Sequence, residues 1–260
     1  MTKKQNGFAH IALILVVLIV FAVGGAGYYV FSRDSNKSGD TESTKDESST
    51  SSGPKIKHLG VNLDYYDPAT NKAGDFEFTK EVFDSGFQIL FMDYGFVVPA
   101  NSVGPEKSNP QPTFILPLGS KVYSLVDGEV YDVPKLYSDD YSVMVQAEGS
   151  DLIFETEHVI NVKVAKGDKV KAGQEIAEVS DYDAHGWAGL GLVEIGILRG
   201  GNPPSHICPF DYLDESIKDE TIKKINALKK SWEEYRGDTS LYDEASEVTP
   251  GCLTAEPIEG

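Results

Sequence analysis

Residues 164–176 read VAKGDKVKAGQEI, and this stretch carries the pattern that decides the fold. The segment KGD at 166–168 marks a turn, KVK favours a short strand, and AGQ begins a second turn. Residues 119–130, GSKVYSLVDGEV, repeat the same order of turn, strand and turn. The two segments indicate that one β unit is used twice in the chain.

Short apolar runs broken by turn residues surround this repeat. They include FQILF at 87–91, KVYSLV at 121–126 and YSVMV at 141–145, all rich in aromatic and β-branched residues. The turn signals DG at 127–128 and EG at 148–149 separate such runs. Strands of four to seven residues with turns at this spacing predict an all-β barrel or sandwich.

Residues 214–236 depart from the β pattern and predict one long helix. Apolar side chains recur there at helical spacing, and Gly237 is well placed to end the helix. We interpret these side chains as packing residues rather than as a binding surface. The predicted stripe consists of Ile217, Ile222, Ile225, Leu228, Trp232 and Tyr235.

Cys208 and Cys252 are the two cysteines of the chain, and they bracket this helix. Neither stands in a C-x-x-C motif, which disfavours a metal or catalytic role. On the outer face of a membrane, two cysteines favour a disulfide over free thiols. We therefore predict a bridge that holds the C-terminal helix against the β domain.

The N-terminus predicts a membrane anchor. Residues 8–31 read FAHIALILVVLIVFAVGGAGYYVF, and as a helix they are long enough to cross a hydrocarbon core of about 30 Å. Lys3 and Lys4 precede this span, which favours a cytoplasmic N-terminus and an extracytoplasmic globular part. A cleaved signal peptide is the alternative, but the apolar run is longer than such peptides have.

The segment that follows the apolar span is polar. Residues 32–57 are rich in Ser, Thr, Asp, Glu and Lys and predict a disordered tether.

The overall charge limits the partners of the chain. The 260 residues include 23 Lys and Arg against 41 Asp and Glu, a formal charge of −18. A chain this acidic is not expected to bind nucleic acid.

Residues 109–211 resemble the LytM/lysostaphin-type peptidase domain, a family of zinc endopeptidases that act on peptidoglycan. PLGSKVYS at 117–124 with DGEV at 127–130 is similar to the family's first β unit, and EHV at 157–159 to its central histidine. LVEI at 192–195 is similar to the strand that carries the family's H-x-H-F-E-I signature. The resemblance covers about 100 of the 260 residues and implies a duplicated barrel of the LytM type.

This resemblance and the residue patterns together predict a mostly β fold. It is a LytM-like barrel-sandwich domain with a C-terminal helix, preceded by one transmembrane helix and a disordered tether. The predicted parts are a leader (1–7), a transmembrane helix (8–31), a linker (32–57), a β-rich extension (58–108), the β domain (109–207) and a disulfide-closed helical extension (208–260).

The zinc site of the family is degenerate in this sequence. The family binds zinc through an H-x-x-x-D motif and the second His of H-x-H. By the resemblance these motifs fall on Asn109 with Thr113 and on Leu190 with Leu192, whose side chains cannot replace His or Asp as ligands. His158 alone matches a catalytic histidine of the family.

We therefore expect no cofactor and no bound zinc. The remaining ligand-type residues near the motifs are His158, His185 and Asp183, with Glu157 and Asp181 beside them. The region 181–185 is also what a solvated acidic loop looks like at this net charge. Asn109, Thr113, His158, Leu190 and Leu192 are instead predicted to line a binding groove.

Three functions follow from these observations. The first is a non-catalytic, membrane-anchored module that binds cell-wall polymer or an envelope protein through this groove. The second is a zinc metalloendopeptidase that acts on peptidoglycan or peptides through a rearranged site. The third is a structural component of the cell surface with no function in the groove.

Overall fold

The computed structural model describes residues 53–79, 88–99, 106–181 and 189–259. Within these ranges one long helix, α1 (Glu215–Arg236), accompanies a set of mostly short strands. The strands are β1 (Lys72–Ala73), β2 (Phe76–Glu77), β3 (Phe91–Met92), β4 (Val97–Val98), β5 (Lys107–Ser108), β6 (Thr113–Pro117), β7 (Lys121–Tyr123), β8 (Gly128–Asp132), β9 (Tyr141–Ala147), β10 (Ile153–Ile160), β11 (Lys169–Val170), β12 (Glu175–Val179), β13 (Leu190–Arg199), β14 (Ser205–His206) and β15 (Ile258–Glu259). The predicted mostly β fold is confirmed.

Eleven of these strands form one antiparallel sheet. Its main path runs β11-β8-β9-β10-β13-β14-β15. Strand β6 pairs with β13 on the edge that faces away from β10, and β12 connects the end of β10 to β7. The long strands β10 and β13 are central and are buried along almost their whole length. Side chains on both faces of these two strands are therefore buried, whether they are apolar or charged.

The repeated β unit explains how the sheet curves back on itself. Strand β7 of the first unit pairs with β12 of the second, and β8 of the first pairs with β11 of the second. Each unit thus completes the other. The turn glycines Gly119 and Gly167 have φ angles of 74° and 92°, a region that glycine enters without steric strain. The sequence repeat therefore corresponds to two matching structural units.

Two of the predicted strands have different limits in the structure. The run 121–126 is a strand only to Tyr123, because Ser124 turns and donates its hydroxyl to the carbonyl of Val126 at 2.8 Å. In the run 87–91 the described strand begins only at Phe91, and residue 87 lies outside the described residues. The run that begins at Tyr141 is a strand as predicted and continues to Ala147.

The extension before residue 109 packs into the same core as the β domain. Strand β3 pairs with β6 and so extends the main sheet, and Phe76 packs edge-on against Phe114. Phe78 packs in the same manner against Trp232 of α1. Strands β4 and β5 form a separate hairpin that leads into β6. The extension thus joins the sheet to the helix.

Helix α1 has almost the predicted limits and ends at the predicted Gly237, while residue 214 is its N-cap rather than its first helical residue. The Asp214 side chain accepts a hydrogen bond from the amide of Ser216 at 3.0 Å, and Gly237 ends the helix in the left-handed conformation. Ile225, Leu228 and Trp232 are buried as the stripe predicts. The same face also buries a charged residue, Lys229, which the apolar pattern did not predict.

The disulfide between Cys208 and Cys252 is confirmed. It connects the start of the helical extension to the C-terminal tail, whose strand β15 pairs with β14. The backbone of Cys252 also pairs with that of Tyr94, beside the end of β3. The tail is therefore held to the β domain both at the disulfide and at β15.

The predicted transmembrane helix at 8–31 and residues 32–52 of the tether lie outside the described residues. Within the described ranges, none of the helices combines the length and the apolar character that crossing a membrane requires.

We predict that reduction of the disulfide lowers stability without unfolding the β domain. The two cysteines are separated by 44 positions, and closing a loop of this size raises the free energy of the unfolded chain by about 4 kcal/mol at room temperature, because the chain loses conformational entropy. Thermal unfolding followed by circular dichroism, with and without reductant, measures the effect. A Cys208→Ser/Cys252→Ser variant should match the reduced protein, and an unchanged melting temperature on reduction would contradict the prediction.

Candidate functional site

Three adjacent strands bring the candidate site residues together. Glu194 of β13 stands opposite Thr113 of β6 on one side and opposite Glu157 of β10 on the other. His158 follows Glu157 at a break in the pairing of β10 with β9, where it has a φ of 61°. This irregular backbone leaves Glu157 and His158, neighbours in the chain, both buried near Glu194.

His158 is held by a carboxylate. Its Nδ1 lies 3.1 Å from Oδ2 of Asp140, which also accepts a hydrogen bond from the hydroxyl of Ser180 at 2.5 Å. Ser138 donates to the other oxygen of the same carboxylate. Burial would raise the pKa of Asp140, but the hydrogen bonds and charge of these neighbours outweigh it and lower that pKa.

An ionised Asp140 determines how the imidazole is oriented. Because the carboxylate can only accept, Nδ1 of His158 carries the proton and donates it. Nε2 then faces the opposite side of the ring, where Oε2 of Glu194 lies 3.8 Å away. A His–Asp pair of this kind fixes the direction in which Nε2 meets a ligand or a metal.

Asn109, Thr113 and Glu194 form a hydrogen-bonded chain beside His158. The Asn109 amide donates to Oγ1 of Thr113 at 3.3 Å, and the Thr113 hydroxyl lies 3.2 Å from Oε1 of Glu194. Among the described residues, Oε2 of Glu194 has no hydrogen-bond partner, although it is buried. We call Asn109, Thr113, Asp140, Glu157, His158 and Glu194 the groove cluster.

The groove cluster contains more carboxyl groups than cationic partners. Burial and the nearby charges of Glu155 and Glu194 raise the pKa of Glu157 well above its usual value. Burial likewise raises the pKa of Glu194, although His158 and Lys107 act in the opposite direction. Strand β5 contributes this lysine, so the extension places a cation near the cluster.

A second histidine compensates the next carboxylate along β10. Nε2 of His206 lies 2.7 Å from Oε1 of Glu155, and the Gln111 amide donates to the same oxygen at 2.9 Å. Both Glu155 and His206 are buried. This pair stands beside the groove cluster and supports it structurally.

The structure brings together only part of the predicted set. Asn109 and Thr113 are in hydrogen-bond contact, and Glu194 lies between Thr113 and His158. Leu190 and Leu192 are buried on β13, where they pair with Pro117 and Ile115 and present no polar atoms. Asp183 and His185 lie outside the described residues, and Asp181 is exposed.

Sequence reasoning did not assign roles to Glu194 and Asp140. Glu194 was recognisable, because residues 190, 192 and 194 of one strand point to the same face. Asp140 could not be found in this way, since it lies in a turn 18 residues before His158 and meets it only through the fold.

The residues that the resemblance places at the zinc positions of the LytM family do not fit a zinc ion. Asn109, Thr113, Leu190 and Leu192 supply none of the His or Asp ligands that the family uses. A different set of three, Glu157, His158 and Glu194, places one ligand atom of each within 4.8 Å of the others. Carboxylate and imidazole are suitable zinc ligands, but all three residues are buried, whereas a catalytic zinc keeps an open position for water.

Neither a family model nor a curated protein matches the sequence. Solved structures do match. Lysostaphin from Staphylococcus simulans is 18% identical with a TM-score of 0.39, over 49% of this chain and 50% of that one. The catalytic domain of a mutant of EnpA, a prophage-encoded M23 protein from Enterococcus faecalis, is 23% identical with a TM-score of 0.36, over 45% of this chain and 85% of that one.

A chain of the SpoIIQ–SpoIIIAH pore-forming complex is 16% identical with a TM-score of 0.37, over 66% of this chain and 97% of that one. This protein thus spans about half the length of the lysostaphin chain. The matches are similarities of β architecture. The chemistry of the groove cluster follows from this chain's own side chains.

We predict that Glu157→Gln stabilises the protein at neutral pH and not in acid. A raised pKa means that the folded state keeps a proton that the unfolded state releases, so stability falls as pH rises from about 4.3 through the folded pKa. The variant lacks this loss, which reaches at most about 1.4 kcal/mol for each pH unit.

Urea unfolding of both proteins at pH 4 and pH 8 measures the difference. The exposed Glu148→Gln is the matched control and should leave stability unchanged at both values. A Glu157→Gln protein that is less stable than the parent at pH 8 would show that the carboxylate is compensated by a partner.

Proposed function

We propose that this protein is a membrane-anchored, extracytoplasmic module of LytM-like fold that binds its ligand without hydrolysing it. The observation that carries the proposal is the hydrogen-bonded chain from Asn109 through Thr113 to Glu194. It stands where the family's H-x-x-x-D motif supplies zinc ligands. In this chain those positions contact each other rather than coordinate a metal.

The packing of β13 supports a non-hydrolytic groove. Leu192 falls at the position of the family's third zinc ligand, and it is buried between Ile115 and Ser180 on the neighbouring strands. A metal at that place would have an aliphatic side chain in its coordination sphere. Of the family's catalytic residues only His158 is retained, and it is oriented by Asp140.

The charge of the groove cluster indicates the class of ligand. Buried carboxylates with raised pKa values are stabilised by cations and by hydrogen-bond donors. Amino and amide N–H groups, which cell-wall peptides and protein backbones both present, supply such donors. We therefore expect the ligand to be a cell-wall polymer or an envelope protein that presents N–H groups to Glu194, whose side chain is 10% exposed, while the buried His158 supports Glu194 from the inner side.

Two features support an extracytoplasmic location. The apolar span at 8–31 is preceded by lysines, which favours a cytoplasmic N-terminus. The disulfide between Cys208 and Cys252 belongs to an oxidising compartment. The acidic chain makes nucleic acid an unsuitable partner.

The metal-ligand set of Glu157, His158 and Glu194 favours a second candidate, a zinc metalloendopeptidase with a rearranged site. One ligand atom of each residue lies within 4.8 Å of the other two, close enough for all three to coordinate one ion. Two facts oppose it: Thr113 already hydrogen-bonds Glu194, and Glu157 is 4% exposed, so its carboxylate is shielded from solvent and substrate.

We predict that the full chain, stripped with chelator and dialysed against micromolar zinc, retains much less than one zinc per chain and does not cleave cell-wall peptides. Elemental analysis and chromatography of the peptide products measure both properties. Glu194→Gln should weaken binding of soluble cell-wall fragments about tenfold, the loss of about 1.4 kcal/mol expected for one charged hydrogen bond.

Glu148→Gln is the control, since it removes an exposed carboxylate and should bind as the parent does. Chelator-sensitive hydrolysis that disappears in His158→Ala would overturn the non-hydrolytic proposal and establish the metallopeptidase. Absence of hydrolysis together with absence of binding to cell-wall fragments and to envelope proteins would leave the structural role as the function of the chain.

A further inference from the structure

A lysine is completely buried on the inner face of α1. Nζ of Lys229 lies 2.6 Å from Oδ1 of Asp93 and also contacts Oε1 of Glu247. The side chain of Lys229 is 0% exposed, and those of Asp93 and Glu247 are 8% and 5% exposed. We call these three residues the Lys229 triad.

Aromatic rings enclose the Lys229 triad. Nζ of Lys229 lies 5.1 Å from the ring centroid of Phe91 and 5.5 Å from that of Tyr242. The Tyr242 hydroxyl accepts a hydrogen bond from the amide of Leu90 at 3.1 Å. The amine and the two carboxyl groups are therefore held together in an apolar, water-poor space.

Three charges in such a place are energetically unfavourable. Lysine is almost never fully buried, and two carboxylates against one ammonium leave an uncompensated negative charge. Burial accordingly raises the pKa of Asp93 to about 6, even though the charge of Lys229 acts to lower it. A carboxyl that takes up a proton near neutral pH and lies 2.6 Å from a lysine nitrogen is placed to react with it.

We propose that Lys229 and Asp93 condense to form an intramolecular amide bond, with Glu247 as the acid–base group. The bond would join α1 to the end of β3, across 136 positions of the chain. This proposal concerns a site remote from the groove cluster and is independent of the proposed function.

The reaction is balanced by the three side chains alone. The ammonium of Lys229 first gives a proton to the carboxylate of Asp93, which leaves a neutral amine and a neutral acid. The amine nitrogen attacks Cγ of Asp93, and Glu247 accepts a proton from that nitrogen. Glu247 then returns the proton to the departing hydroxyl, so that the C–O bond breaks, an N–C bond has formed and one water leaves.

Enclosure makes this condensation favourable. Fixing two reacting groups in contact corresponds to effective concentrations of about 10⁵–10⁸ M, which offsets the tendency of free amines and acids to stay apart in water. Exclusion of water also protects the product from hydrolysis. The product replaces a buried ion pair by a neutral amide, which removes the unfavourable burial of the two charges.

Peptide mapping of the purified full chain tests the proposal directly. After reduction and digestion with trypsin, an unlinked chain releases residues 225–229 and residues 81–107 as separate linear peptides. We expect instead that the link blocks cleavage at Lys229, so that residues 225–230 are joined to residues 81–107 in one cross-linked species. Its mass should be lower by one water than the summed masses of these two peptides. Fragmentation should place the link between Lys229 and Asp93.

Variants separate the roles of the three residues. Lys229→Arg keeps the charge but should abolish the link, and Glu247→Gln should abolish it or slow it at least a hundredfold, a loss typical for removal of a general acid–base group. Lys230→Arg changes the exposed neighbouring lysine and should leave the link complete. Circular dichroism shows whether each variant is folded.

Quantitative recovery of the two linear peptides from the parent protein would overturn the proposal without any variant. A link from Lys229 to residues 237–260, which contain Glu247, would contradict Asp93 as the acceptor. A folded Glu247→Gln protein that cross-links at the parental rate would exclude Glu247 as the acid–base group.

Discussion

A run of four polar residues in the buried central strand β10 is the constraint on which the rest of the site depends. Glu155, Thr156, Glu157 and His158 follow one another in β10, and none is more than 4% exposed. Because buried polar groups require partners, the elements around this strand must supply them. His206 and Gln111 compensate Glu155, while Asp140 compensates His158. The carboxyl of Glu157 receives the least compensation from its neighbours, and its pKa is raised as a result of burial and of the nearby carboxylates.

Much of the fold follows from short-range patterns in the sequence. The repeated turn-strand unit, the C-terminal helix with its caps and the disulfide are all local signals or pairings of two unique residues, and each is present in the structure. The burial of Lys229 could not be predicted in this way. Its partners Asp93 and Glu247 come from β3 and from the tail, and only tertiary packing brings them to the helix.

The resemblance to a family motif points to His158, Asn109 and Thr113, but not to the contacts that surround them. In the structure Asn109 donates a hydrogen bond to Thr113, and Thr113 and His158 each lie beside Glu194. The resemblance also suggests Leu190 and Leu192, which share a face of β13 with Glu194 and are buried there without offering a polar atom. Thr113 instead forms a hydrogen bond with Glu194 on the neighbouring strand. Hydrogen-bond partners across strands depend on register, and register is not readable from one strand alone.

The account holds that His158 is oriented by Asp140 and that the groove cluster is held by its own hydrogen bonds. Long-range ¹H–¹⁵N spectra of the histidine side chains, recorded on the metal-free protein and again after addition of zinc, test this claim most directly. The account predicts that His158 carries its proton on Nδ1 and that the Nε2 resonance stays in place when zinc is added. A zinc-induced shift of Nε2, or a proton on Nε2 in the metal-free protein, would contradict it.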